Sequence, residues 1–174
     1  MMFALRGQDF STHPLTDADA PELQHLLERC ADYFHVVLDR DPGPAEALAV
    51  FYAGPEEGKE PGDKVLVGIT ARDDNRLLGV LDAFRDYPES GVWYIGLLLF
   101  DPAARRAGLG ASVLDALAQE AAAAGARELQ LNVVEQNTLA FAFWKRHGFS
   151  ERRRWPQHFG QRESVFIRMA RSLP

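Results

Sequence analysis

Apolar side chains at Leu23, Leu26, Leu27, Cys30, Phe34 and Val37 follow the i, i+3, i+4, i+7 spacing that buries one face of a helix. Thr16 and Asp19 stand ahead of this run as an S/T-x-x-D form of the capping box. The segment Arg40 to Pro44, RDPGP, ends it. A shorter helix is predicted around Ala45 to Tyr52, then a polar loop from Gly54 to Asp63. Beyond the loop the pattern turns strand-like in three runs, KVLVGITA, LLGVLDAFR and VWYIGLLLF. RDDNR and DYPESG, which separate them, carry hairpin turn chemistry, so an antiparallel meander is expected. The third run, Val92 to Phe100, is almost wholly apolar and predicts a strand covered on both faces.

After RRAGLG (Arg105 to Gly110), Val113, Leu114, Leu117 and Ala121 lie on one side of a further helix, with Gly125 as its C′ residue. Glu128 to Val134, ELQLNVV, alternates as a strand. Asn137 or Thr138 starts a helix through Ala140, Phe141, Trp144 and Lys145 that Gly148 ends. Two strands, FSERRR and ESVFIRM, close the chain, and a short strand at Phe3 to Arg6 or a few residues beyond opens it. The order β-α-α-β-β-β-α-β-α-β-β is that of an α+β fold with a mixed sheet of about seven strands and about four helices. Residues 1–174 are read as one domain.

Composition narrows the function classes. With 19 basic and 25 acidic side chains the formal net charge is −6, which disfavours a general nucleic-acid binder. A single cysteine, Cys30, excludes an internal disulfide and a cysteine metal cluster, and its place on the apolar stripe suits a core role. The five histidines show no metal-ligand spacing, so no metal site is expected. No window resembles a signal peptide or a membrane span, which makes a cytoplasmic protein without membrane contact the default.

RRAGLG carries the chemistry. A dinucleotide fingerprint would need glycine where Val113 stands, and a Walker A loop would need Gly-Lys-Ser/Thr. What remains is a run of backbone N–H groups at a helix start, suited to a diphosphate, or simply a tight strand-to-helix turn. Arg105-Arg106-Ala107-Gly108-Leu109-Gly110 resembles the Q/R-x-x-G-x-G/A motif of the GCN5-related N-acetyltransferases. LLLFDP before it, the amphipathic helix after it and NTLAFAFWKRHGF downstream are similar to the same family's elements in the same order, along essentially the whole chain.

The resemblance implies a GNAT-like fold, with a mostly antiparallel central sheet, and acetyl-CoA as co-substrate. It implies that the amides from Arg106 to Ala111, among them Ala107, Gly108, Leu109 and Gly110, hold the pyrophosphate, with Arg105 and Arg106 adding charge. Unpaired backbone at Leu98, Leu99 and Phe100 would bind the pantetheine arm, and the Asn137 side chain would meet it. A backbone N–H near Leu98 or Leu99 would face the oxyanion.

The family's usual acid and base are missing. Trp144 stands where many members place the tyrosine that protonates the thiolate, and indole N–H is too weak an acid; packing against the cofactor remains open to it. Tyr94 aligns with the place of a glutamate base and is favoured to face the acceptor cleft, with its neighbour Trp93 on the other side of the strand. Asp82, between Leu81 and Ala83, becomes a base if it points into the cleft and is a solvated strand residue otherwise. Glu135 reads as a strand-end charge or a second carboxylate. Tyr33, with Asp32 and His35, lies by the helix that often lines the acceptor site. ERRRW, Glu151 to Trp155, is either a contact for an acidic substrate or phosphate, or a solvated strand face.

The leading expectation is an acetyl-CoA-dependent N-acyltransferase acting on a small-molecule or protein amine. The net charge mildly favours a cationic acceptor. The alternative is an acyl-CoA-binding sensor with little transfer, which Trp144 keeps open. The C-terminal strands of this fold often support dimers, so a homodimer stays open too.

Overall fold

The structure, a computed structural model, describes residues 10–54, 63–159 and 162–174. The predicted opening strand at Phe3 to Arg6 and most of the loop from Gly54 to Asp63 lie outside the described residues. The described elements run in the order β1 (Phe10–Pro14), α1 (Ala20–Arg29), α2 (Ala31–Leu38), α3 (Glu46–Tyr52), β2 (Lys64–Ala71), β3 (Leu77–Phe84), β4 (Val92–Phe100), α4 (Leu109–Ala123), β5 (Glu128–Val134), α5 (Thr138–Arg146), β6 (Ser150–Phe159) and β7 (Arg162–Ser172). All seven strands form one sheet in the order β1-β2-β3-β4-β5-β7-β6. Only β4 and β5 pair in parallel, so the fold is α+β and mostly antiparallel, with the predicted meander at β2-β3-β4.

Five helices are present among the described residues rather than four, because the first predicted helix is two. Cys30 turns out of helical geometry (φ −93°, ψ 32°), and tight i→i+3 bonds flank it, Cys30 N–H to the Leu27 carbonyl (3.0 Å) and Tyr33 N–H to the Cys30 carbonyl (2.9 Å). The apolar stripe crosses the break intact, since Leu23, Leu26, Leu27, Cys30, Phe34 and Val37 are all buried. Ahead of α1 the Asp19 carboxylate accepts from the Thr16 amide (2.7 Å) and hydroxyl (2.9 Å), as the capping pattern predicts.

Each face of the sheet carries its own core. Val65, Val67, Leu81, Ala83, Trp93 and Ile95 meet α4 and α5 through Val113, Leu114, Leu117, Ala121 and Trp144. On the opposite face Leu77, Val80 and Leu99 meet α1 to α3 through Leu23, Leu26, Leu27, Cys30, Phe34 and Ala47. The β4 expectation needs correction. Val92, Trp93 and Ile95 are buried as predicted, but Gly96 is exposed and Leu97, Leu98 and Phe100 are half-buried. Apolar composition here marks the lining of an opening rather than a strand covered on both faces.

The far end of β4 is set by close approach to β3. A Cβ on Gly79 would lie 2.7 Å from the Leu99 carbonyl oxygen and 2.6 Å from the Phe100 ring. Gly79→Ala is therefore expected to lower stability by about 1 to 3 kcal/mol, read from the denaturant midpoint. An unchanged midpoint would mean that β4 shifts freely at this point.

Candidate active site

The site begins where β4 leaves its parallel partner. Val92 to Ile95 pair with Glu128 to Leu131, and no pairing with β5 continues beyond Ile95. On its other side β4 stays in register with β3, where Asp82 faces Leu97 and Ala83 faces Ile95. Gly96 is the extra residue of this bulge, which bends β4 away from β5. The parted strands open a cleft of about 1150 Å³, lined along β4 by Tyr94 to Phe100 and along β5 by Leu131 to Val134. From Gly96 to Phe100, the β4 edge facing β5 has no strand partner.

At the far end of β4 the chain turns into α4. Asp101 is 5% exposed, accepts from the Ala103 amide (2.9 Å) and pairs with Arg29 (2.6 Å). Arg106 and Gly108 both take left-handed backbone, with φ 68° and 80°. Gly108 leads directly into the first turn of α4, where Leu109, Gly110 and Ala111 present backbone N–H groups without intrahelical partners. Nothing lies within 4 Å of the place where a Gly108 Cβ would sit, so this cradle is open. Leu98, Leu99, Phe100, Arg105, Arg106, Gly108, Gly110, Ala111, Asn137 and Trp144 all line the cleft. Among the predicted cofactor residues Ala107 and Leu109 do not line it, and Leu109 packs on the core.

Some predicted contacts are already engaged within the protein. Arg105 donates to both carboxylate oxygens of Asp32 (2.5 and 3.2 Å) and through Nε to the Phe100 carbonyl (2.9 Å). That carbonyl also lies 3.4 Å from the Cys30 thiol. Arg105 thus ties the start of α2 to the end of β4, and it holds the Asp32 carboxyl below its ordinary range. Asn137 caps α5 by accepting from the Ala140 amide (3.2 Å). Arg106 makes no ion pair among the described residues and is the exposed cation at the cradle.

The catalytic candidates separate by environment. Trp93 enters the α4 side of the core, and Tyr94 lines the cleft on the opposite face, as strand alternation predicts. Burial pushes the Tyr94 phenol up to about 12 against the nearby Arg168 charge, so it stays protonated at neutral pH. Asp82 does not line the cleft and does not face solvent either; it is 4% exposed. Its Oδ2 lies 3.4 Å from Lys64 Nζ, and its Oδ1 has no hydrogen-bond partner. Lys64 in turn donates to the carbonyls of Val50 and Ala53, both at 2.6 Å. Burial pushes the Asp82 carboxyl up to about 7, with Lys64 opposing the rise. A Cβ on Gly96 would sit 3.5 Å from Asp82 Oδ2, so the absence of a side chain at this exposed glycine leaves the space beside the carboxylate unfilled.

Trp144 is 7% exposed and packs edge-on against Phe143 and Phe149. Tyr33 lines the cleft, and burial raises its phenol to about 12. Glu135 is exposed and paired with Arg154 (2.6 Å), and His35 is exposed and paired with Asp41 (2.7 Å), so neither is turned to the cleft chemistry. Asn132, Phe166, Phe143, Arg146 and His147 also line the cleft and were not singled out from the sequence. Nothing in the local pattern marks them; only β5, β7 and the end of α5 facing β4 across the gap does.

A family model described as the acetyltransferase (GNAT) family matches residues 20–149. No curated protein matches the chain in sequence. Among solved structures the chain is similar to a probable acetyltransferase (GNAT family) from Chromobacterium violaceum, at 23% identity and TM-score 0.80, covering 97% of this chain and 85% of that one. An acetyltransferase from Thermus thermophilus is 23% identical with TM-score 0.72, over 98% of this chain and 100% of that one. The ribosomal-protein-S18-alanine N-acetyltransferase from Escherichia coli is 20% identical with TM-score 0.66, over 94% of each.

The Asp82 environment predicts a pH effect whose sign follows from the raised value. Unfolded, the carboxyl titrates near 3.9; folded, it titrates at about 7. Its contribution to stability is therefore full below about pH 4 and is lost as pH rises through 7. Asp82→Asn, neutral throughout, is expected to be more stable than the parent at pH 8, with that advantage shrinking at pH 5. Equal differences in denaturant midpoint at the two pH values would contradict this account.

Proposed function

The chain belongs to the acetyltransferase (GNAT) family, and we propose that it moves the acetyl group of acetyl-CoA to a primary amine by direct attack in a ternary complex, the C–S bond breaking as the C–N bond forms and the CoA thiolate leaving with the second amine proton. The observation that carries this reading is the run of partnerless β4 edge into an open amide cradle within one cleft. Acetyl-CoA supplies an acyl group activated as a thioester. The residues fit it: the Arg106 to Ala111 cradle suits the pyrophosphate, and Arg106 and Arg146 are exposed cations on the cleft wall. The β4 edge at Leu98 and Leu99 offers backbone groups to an extended arm. Phe100 offers less, because Arg105 and Cys30 already address its carbonyl.

For the acceptor, an alkyl amine of ordinary pKa about 10.4 must lose a proton to become nucleophilic. Asp82 is the proposed acceptor of that proton, through water entering at Gly96. Its value near 7 suits a base working at neutral pH. Tyr94 and Tyr33, both protonated, form the wall beside the amine and can donate hydrogen bonds to it. The net charge of −6 favours approach of the amine in its cationic form.

Two measurements test this. Acetyl-CoA at about 100 times Kd should add about 2.7 kcal/mol, a rise in Tm of roughly 5 to 11 °C for a chain of this size. The rise should vanish in an Arg106→Glu, Gly108→Asp double variant. No shift at millimolar acetyl-CoA would sink the reading. A shift without release of CoA thiol over an amine panel would favour an acyl-CoA sensor instead. The second measurement is Gly96→Ala, whose Cβ meets only ordinary contacts at 3.5 Å or more. It should keep Tm and the acetyl-CoA shift yet lower kcat by at least about tenfold, since acid–base assistance is worth about 10² to 10⁴. Unchanged kcat would remove Asp82 from the chemistry.

A further inference from the structure

Among the described residues nine arginines sit opposite an acid: Arg29, Arg40, Arg76, Arg105, Arg127, Arg152, Arg154, Arg162 and Arg171 pair with carboxylates at 2.5 to 3.9 Å. Two arginines on one patch of the sheet do not. Arg168 of β7 and Arg153 of β6 are register partners, so both project to the same face as Tyr94. Neither pairs with an acid among the described residues. Their guanidinium carbons lie 5.8 and 5.6 Å from the centre of the same Trp155 ring.

Like charges directly opposite across two strands repel, and a half-buried cation without a counter-charge has lost hydration. The patch is nevertheless built with care. Arg168 donates through Nε to Asn132 (2.6 Å) and through Nη1 to Gln130 (3.2 Å), and it lies 5.5 Å from the Tyr94 ring centre. These bonds are not needed to hold β7 to β5, which seven consecutive register pairs already join. They orient a guanidinium that keeps three further N–H donors. Arg168 stands just behind the cleft wall rather than in its lining, but Asn132 and Tyr94, which it touches, both line the cleft, as does Phe166 two residues before it on β7.

We propose that Arg168, with Arg153 behind it, is the anchor for a carboxylate carried by the acceptor, so that the substrate is a small amine bearing a carboxylate several bonds away. The inference rests on the amine-transfer reading above. The spacing follows from the sheet: β7 lies two strands from β4, at least about 10 Å across where β4 and β5 begin to part, and the Arg168 side chain reaches back over part of that distance to Tyr94. An amine near Gly96 and a carboxylate at Arg168 therefore belong to one small molecule. The aromatic and apolar walls between them, Tyr94 and Phe166, suit its methylene stem.

The test compares 4-aminobutyrate, 5-aminopentanoate and 6-aminohexanoate, each beside its carboxamide. Each is measured for turnover with acetyl-CoA and, by calorimetry on the protein saturated with CoA, for binding. At least one carboxylate is expected to exceed its carboxamide by roughly 10- to 100-fold in kcat/KM and in affinity, the range for a hydrogen bond to a charged group. Arg168→Gln should raise KM for the carboxylate and abolish the preference, while the acetyl-CoA shift in Tm persists. Arg153→Gln, at an exposed position, should weaken the preference without affecting folding. Equal handling of carboxylate and carboxamide by the unaltered protein overturns the proposal, as does a preference that survives in both variants. Binding that prefers the carboxylate without any turnover would uphold the anchor and fail the transferase reading. Turnover without the preference would do the reverse.

Discussion

Everything functional in this molecule depends on one parting of strands. A parallel pair that ran the length of β4 and β5 would satisfy both backbones and leave no room between them. Here pairing stops at Ile95, because Gly96 adds a residue on the β3 side and turns β4 aside. β5 does not follow, since β7 holds it in register as far as Val134. The gap and the free β4 edge both arise from that single inserted glycine.

A gap between strands needs its rim held, and three polar links do so where α1 meets α2. Arg29 reaches Asp101, the Cys30 thiol reaches the Phe100 carbonyl, and Asp32 takes the fork of Arg105. The two ion pairs are partly exposed and add little to stability. Their effect is geometric, because they join the helices lining the acceptor side to the loop that forms the anion cradle. Arg29, Cys30 and Asp32, on either side of the helix break, all reach the same strand end.

Buried charge is distributed unevenly, and the unevenness is informative. Asp82 lies deep beside Lys64 with one oxygen unbonded, an arrangement that weakens folding whenever the carboxyl is ionised. Arg168 and Arg153 share a ring without an acid between them. A protein selected for stability alone would replace both features with apolar packing. Their persistence on the same face of the sheet as Tyr94 concentrates the unfavourable electrostatics of the fold around the cleft.

Periodicity and turn chemistry determined the elements: the meander, the α4 stripe, the Asn137 start of α5 and the Gly108 turn are all local, and local spacing reports which side of an element is buried. The RRAGLG turn into α4 was legible for the same reason, since such a turn is built from neighbouring residues. Local spacing reports no pairing limits. It therefore could not show that Cys30 divides a helix whose stripe stays continuous, nor that β4 is apolar because it lines an opening. ERRRW was legible as a basic run, but not the separate fates of its arginines, two held by acids and one turned to Trp155. Those outcomes depend on which residues meet across β5, β6 and β7, and on Gly96 lying over Asp82. Only the folded sheet decides such meetings, because its register sets which side chains share a face and where a backbone is left without a partner.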